Sequence, residues 1–189
     1  MTDQKTRGRL TLLLISAVFF APIFLAIYLY FSDNPWRPSE TTQLGTLIMP
    51  PVQLPNETLT AGEGAFSFTE VWSLIVLAND QCDDRCMTAL EDIRQIRLSL
   101  GPKMPRVQTV FLPAGAAANV PLDARAFPKM IVADPAAAAI IHERVDEWQD
   151  GQIFLVDPFG NLMMSYAPGT DKGDVRKDLG HLLQLSEIG

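Results

Sequence analysis

The sequence predicts an α/β domain, a central mixed sheet flanked by helices, carried on a single N-terminal transmembrane helix. Three observations predict it. An uninterrupted apolar run extends from Leu10 to Phe31. A strand-length apolar run, "VWSLIVLA", leads at once into "NDQCDDRC" and then into an amphipathic helix. After that helix, strand and helix signals alternate and close on a hairpin and a last helix.

The first run contains no charged residue. Its 22 residues, at roughly 1.5 Å each in a helix, span about 33 Å, enough for a bilayer core. Pro22 would be costly in a soluble helix, but membrane helices tolerate it. A cleaved signal peptide would have a shorter apolar core and then a small-x-small site. Here the run continues to the bulky "IYLYF", with Tyr28 and Tyr30 at the far interface, as in an uncleaved signal anchor. Lys5, Arg7 and Arg9 precede the run, whereas Asp33 follows it first and Arg37 is the only basic residue near that end. The positive-inside rule then makes residues 1–9 a cytoplasmic tail and 10–31 the anchor. The expected location is a bacterial inner membrane, crossed once, with the C-terminal domain in the periplasm. Beyond Arg9 the chain has 12 basic and 21 acidic residues, a formal charge of −9. Nucleic-acid phosphates would be repelled by it, so no nucleic-acid partner is expected.

Residues 32–64 hold five prolines and little apolar periodicity, the composition of an extended tether. The folded domain is then expected over 65–189. Val71–Ala78 is apolar throughout, as in a buried central strand. Cys86, Leu90, Ile93, Ile96 and Leu100 recur at helical spacing, and Gly101–Pro102 ends that helix. "RVQTVFLP" is a second strand, "FPKMIVAD" is strand-like, and "PAAAAIIHERVDEW" is helical with Pro135 in its first turn. "QIFLV", "DPFG" and "NLMMSY" form strand, turn and strand. "TDKGDVRKDLGHLLQLSEI" is a closing helix with Leu179, Leu182, Leu183 and Leu185 on one face. A βαβ unit followed by a hairpin and a final helix is the thioredoxin arrangement.

The chain's two cysteines, Cys82 and Cys86, are the candidate catalytic and metal-binding residues. They sit where a buried strand gives way to a helix, and free backbone N–H groups at a helix start favour a thiolate. Arg85 supports that charge, while Asp80, Asp83 and Asp84 oppose it. A redox pair, a soft-metal clamp and a structural staple are all open from the spacing. A bridge over so short a loop constrains the unfolded chain little, which makes the staple the weakest of the three. Two thiolates at i and i+4 can share Cu(I). His142 and His181, both on helices, are more often surface or half-buried residues than ligands. Met163 and Met164 are adjacent on a strand and are expected on opposite faces. A zinc site and a Ser-His-Asp hydrolase lack the necessary spacing.

"LIVLANDQCDDRC", followed by helix, strand and "QIFLVDPFGN", resembles the Sco/SenC group of membrane-anchored, thioredoxin-fold proteins. The likeness covers roughly residue 62 to the C-terminus. It is closer still to a proteobacterial set with one N-terminal membrane helix, a "GTLIMPPVQLP"-like segment and an ending like "LVDPFGNLMMSY". The resemblance implies copper delivery to cytochrome c oxidase, or upkeep of its reduced cysteine ligands. The implied partners are the membrane and respiratory oxidase subunits or other assembly factors, and copper as Cu(I) is the implied metal. In this family pattern a histidine ligand falls near Gln149, where "EWQDGQIF" has none, and the thioredoxin cis-proline position reads Gly151. Cys82 would attack a target disulfide and Cys86 would resolve the mixed disulfide. The alternative is a non-catalytic scaffold that docks other assembly factors at the membrane.

Overall fold

The computed structural model describes residues 2–31, 43–62, 64–78, 81–115, 117, 122–123 and 125–188. It divides into two compact units, Met1–Thr42 and Gln43–Gly189. In the first, α1 runs Thr2–Phe31 with Pro22 inside it. Its Thr11–Leu29 segment has a mean hydropathy of 2.6 over 19 residues. At helical rise that is about 28 Å, the thickness of a bilayer's hydrocarbon core.

The second unit is a six-stranded mixed sheet in the order β1-β8-β7-β4-β5-β6, with a separate β2-β3 ribbon. The strands are β1 Thr46–Gln53, β2 Leu59–Ala61, β3 Gly64–Phe66, β4 Trp72–Ala78, β5 Val107–Pro113, β6 Met130–Val132, β7 Ile153–Val156 and β8 Asn161–Tyr166. Three helices cover the sheet: α2 Asp84–Ser99, α3 Pro135–His142 and α4 Lys172–Leu185. β4 pairs in parallel with β5, Trp72 opposite Val107 through Ala78 opposite Pro113. On its other side β4 runs antiparallel to β7, with Ile75 opposite Phe154. All seven β4 residues are buried, as expected of an apolar run without alternation. Alternate β4 side chains feed two cores. Leu74 and Val76 meet α2 and α4 through Leu90, Ile93, Val175 and Leu179. Ile75 and Leu77 meet α3 through Ala138 and Ile141, together with Leu54, Phe66 and Phe68.

This is the thioredoxin-like mixed sheet with flanking helices that the sequence predicts. Three details differ. Residues 46–53, read as part of an extended tether, form β1 at the sheet edge, and Leu59–Ala61 pairs with Gly64–Phe66 in the ribbon. Prolines are compatible with an edge strand at an irregularity. Pro50 and Pro51 lie between Leu47 and Val52, where pairing with β8 shifts register. The helix read over "PAAAAIIHERVDEW" stops at His142, and Trp148 folds back with its ring 4.9 Å from His142. β8 is bulged, since Leu155 faces Met164 but Val156 faces Leu162. Met163 is the extra residue, so Met163 and Met164 both reach the α2–α4 side rather than opposite faces.

One buried carboxylate fixes β1 in place. Asp178 on α4 is 6% exposed and its Oδ2 accepts from Leu44 N–H (2.8 Å), Gly45 N–H (2.9 Å) and the Tyr166 hydroxyl (3.2 Å). Burial first, and the Asp178 charge second, push the Tyr166 hydroxyl well above its ordinary pKa. Replacing Asp178 by Ala removes the carboxylate acceptor from all three donors and is expected to cost about 2–4 kcal/mol. Asp178→Asn, which keeps one acceptor oxygen, should lose less. Thermal unfolding of the two variants checks the order.

Candidate active site

The site is built by the end of β4 and the start of α2. Ala78 closes β4, and its carbonyl accepts from Ala114 N–H at 2.7 Å. Asn79 and Asp80 lie outside the described residues, so the opposing charge assigned to Asp80 falls there. Cys82 and Cys86 are joined by a disulfide, with their Cα atoms 5.0 Å apart. Cys86 is fully buried against the α2–α4 core, whereas Cys82 is only partly covered. An attacking group therefore meets Cys82 first.

Asp83 caps α2. Its Oδ1 accepts from Arg85 N–H and Cys86 N–H, both at 3.0 Å. Its Oδ2 receives the Arg85 guanidinium at 3.1 Å. The hydrogen bond from Cys86 N–H, the largest cause, and then Arg85 hold the Asp83 carboxyl below the usual carboxylate range. The helix-start donors that could serve a thiolate are thus engaged by a neighbouring carboxylate, and the nearest cation is paired to it.

Gly151, just before β7, packs directly on this turn. It has φ +81°, and a Cβ there would lie 2.9 Å from the Arg85 carbonyl carbon and oxygen. Only glycine suits both the left-handed backbone and the contact. The neighbouring Asp150 has a buried Oδ1 with no hydrogen-bond partner among the described residues. A cleft of about 190 Å³ opens beside Gly151 between α2 and the β8–α4 loop, lined by Arg85, Thr88, Asp92, Ile153 and Thr170. Burial raises the Asp92 pKa, against the opposing effect of Lys172, whose Nζ lies 3.6 Å away. The sequence reading did not pick out Thr88, Asp92 or Thr170. Thr88 and Asp92 share a helix face with Arg85, but only the folded β8–α4 loop turns that face into a cleft wall.

The other sequence candidates do not join the cysteines. His142 Nε2 is 2.9 Å from Leu112 O, and His181 lies exposed on α4. Gln149 is exposed in the loop before β7, its N–H bonded to Gln152 Oε1 at 3.0 Å. Among the described residues no group of three His, Cys, Asp or Glu side chains could hold a metal ion. Among the described residues, the donors that would hold a soft ion are the two reduced cysteines.

A mixed sheet with a cysteine pair at the start of the first covering helix defines the thioredoxin-like class. The family described as "Transmembrane-like, thioredoxin-like, C-terminal domain" matches residues 72–186, and its companion "Transmembrane-like, N-terminal domain" matches residues 2–33. The chain belongs to this family. Among solved structures, apo Sco1 from Thermus thermophilus is similar with a TM-score of 0.55 at 21% identity, covering 78% of this chain and 99% of that one. Yeast Sco1 with copper bound gives 0.55 at 16% identity, covering 78% and 96%. A thioredoxin-family thiol:disulfide interchange protein from Chlorobium tepidum gives 0.51 at 15% identity, covering 70% and 97%. At these identities the likeness establishes the fold. A comparison with curated proteins gave no match.

Two outcomes are expected at this site. Asp83→Asn keeps a capping side chain but removes the charge beside Cys82 and unpairs Arg85. In reduced protein at neutral pH, Cys82 alkylation by iodoacetamide should become about two- to fivefold faster. Gly151→Ala should destabilise the domain by about 2 kcal/mol or more through backbone strain and the contact with Arg85, measured by chemical denaturation.

Proposed function

We propose that this protein is a membrane-anchored thiol–disulfide exchange factor acting through Cys82 and Cys86. One observation carries the reading: a bridged pair at the start of α2 with one sulfur partly exposed and the other buried. The asymmetry gives the two sulfurs different roles. In the reducing direction a Cys82 thiolate attacks a sulfur of a target disulfide, and the electron pair of the broken bond leaves on the target's second sulfur, which takes a proton. The Cys86 thiolate then attacks Cys82 Sγ, restoring the Cys82–Cys86 bond and releasing the target's other sulfur as a thiol. The target gains two electrons and the pair loses two. The same steps reversed oxidise a dithiol.

The family match and the fold shared with a thiol:disulfide interchange protein support this reading. A second reading treats Cu(I) as cargo, held between the two reduced thiolates. The short Cα–Cα separation of 5.0 Å supports it, as does the copper named in the yeast Sco1 structure. In this reading Cys82 and Cys86 are the two ligands that the chain supplies, a set suited to Cu(I). The resemblance to the Sco/SenC group extends the proposal to haem–copper oxidase assembly. The α1 anchor and its flanking charge extend it to a bacterial inner membrane with the domain in the periplasm. The proposed extents are 1–9 for the tail and 10–31 for the anchor; the thioredoxin-like domain, expected over 65–189, also takes in β1, Thr46–Gln53.

The test uses the full-length chain in detergent. Cys86→Ser should accumulate a mixed disulfide through Cys82 with a cysteine-bearing test peptide, while Cys82→Ser should not. The reduction potential of the unmodified pair should lie above about −300 mV. A lower potential, with no trapped mixed disulfide, would replace exchange by the scaffold role. Anaerobic Cu(I) titration of reduced protein separates the cargo reading, which requires one equivalent bound and its loss in Cys82→Ser.

A further inference from the structure

At the far end of α2 lies a second, chemically different cleft. It has a volume of about 400 Å³ and is walled by Ser99, Lys103, Arg176, Lys177, His181 and Gln184, with no carboxylate among its lining residues. That concentration of positive charge runs against the surrounding composition, because residues 43–189 contain 11 basic and 19 acidic residues. Arg176 is held across the cleft by its Nε bond to Ser99 Oγ at 2.9 Å. Lys177 and His181 are exposed, and no side-chain ion pair or hydrogen bond engages them or Lys103 among the described residues.

The cleft lies close to the point where the chain enters the folded unit. The chain enters the folded unit at Leu44–Gly45, and both backbone N–H groups are bonded to Asp178 of α4. Lys177 precedes Asp178 directly and His181 follows it within one turn, so α4 carries the cleft and the attachment point together. Only residues 32–43 separate that point from the end of the apolar α1, and twelve residues of chain reach no further than about 43 Å. A phosphodiester headgroup supplies the acceptor oxygens that Arg and Lys recognise. An anionic bilayer surface attracts such cations within a Debye length.

We propose that the Lys103–Arg176–Lys177–His181 cleft binds the headgroup of an anionic phospholipid and so docks the folded domain on the bilayer that holds its anchor. Docking by this cleft applies to the pole of α2 opposite the cysteines and does not depend on their chemistry.

The full-length chain is placed in nanodiscs of phosphatidylcholine alone, or with a minor fraction of phosphatidylglycerol. Lysines are acylated briefly and quantified by mass spectrometry. Lys103 and Lys177 should react at least about threefold more slowly in the anionic discs, while Lys129 and Lys172 should be unchanged. Arg176→Glu should abolish the protection with an unaltered near-ultraviolet circular dichroism spectrum. Equal labelling in both discs overturns the proposal, and so does equal protection of all four lysines. Protection produced in phosphatidylcholine discs by free glycerol phosphate alone overturns it in favour of a soluble-anion site.

Discussion

The burial of β4 is the constraint on which the rest of this domain depends. Each of its seven side chains is removed from water, and full burial of each large aliphatic among them contributes about 1.5–3 kcal/mol. Pairing with β5 on one side and β7 on the other uses its backbone groups. A strand held on both edges and both faces has no freedom at its end. Where it stops, the chain must turn to cover the sheet, and the turn it makes carries Cys82, Asp83 and the first residues of α2.

At that turn the helix start serves two demands that conflict. The first-turn N–H groups must find acceptors, and a thiolate at Cys82 would be one. Asp83 is another, and its carboxylate takes the Arg85 and Cys86 N–H groups and the Arg85 guanidinium together. The cap secures α2 and occupies helix-start donors that a thiolate at Cys82 would otherwise share. Gly151 closes the same turn from the other side by backbone contact alone, so the floor of the site is steric where its rim is electrostatic.

The domain has two poles along α2, whose 16 residues make a helix of about 24 Å. Acidic caps and the cysteine pair occupy one end, and a basic cleft beside the attachment point of β1 occupies the other. Asp178 links the attachment point to the core through Tyr166.

Elements whose signal is local can be read from residue order alone. An apolar run without charge can only be buried or in lipid, so Leu10–Phe31 and Val71–Ala78 were legible at once. The three- and four-residue spacing from Cys86 to Ile96 marked α2, and DPFG marked the hairpin turn. The sequence also set the cysteines at a strand–helix junction. Other features depend on partners distant in the chain. β1 exists because β8 offers it an edge and Asp178 offers it an acceptor, 134 residues from Leu44; its prolines alone read as a tether. Met163 and Met164 share a face because of a bulge, which alternation cannot foresee. Which sulfur is exposed, what engages the helix-start donors, and why position 151 is glycine were likewise settled by packing, since burial and contact belong to neighbours that residue order does not name.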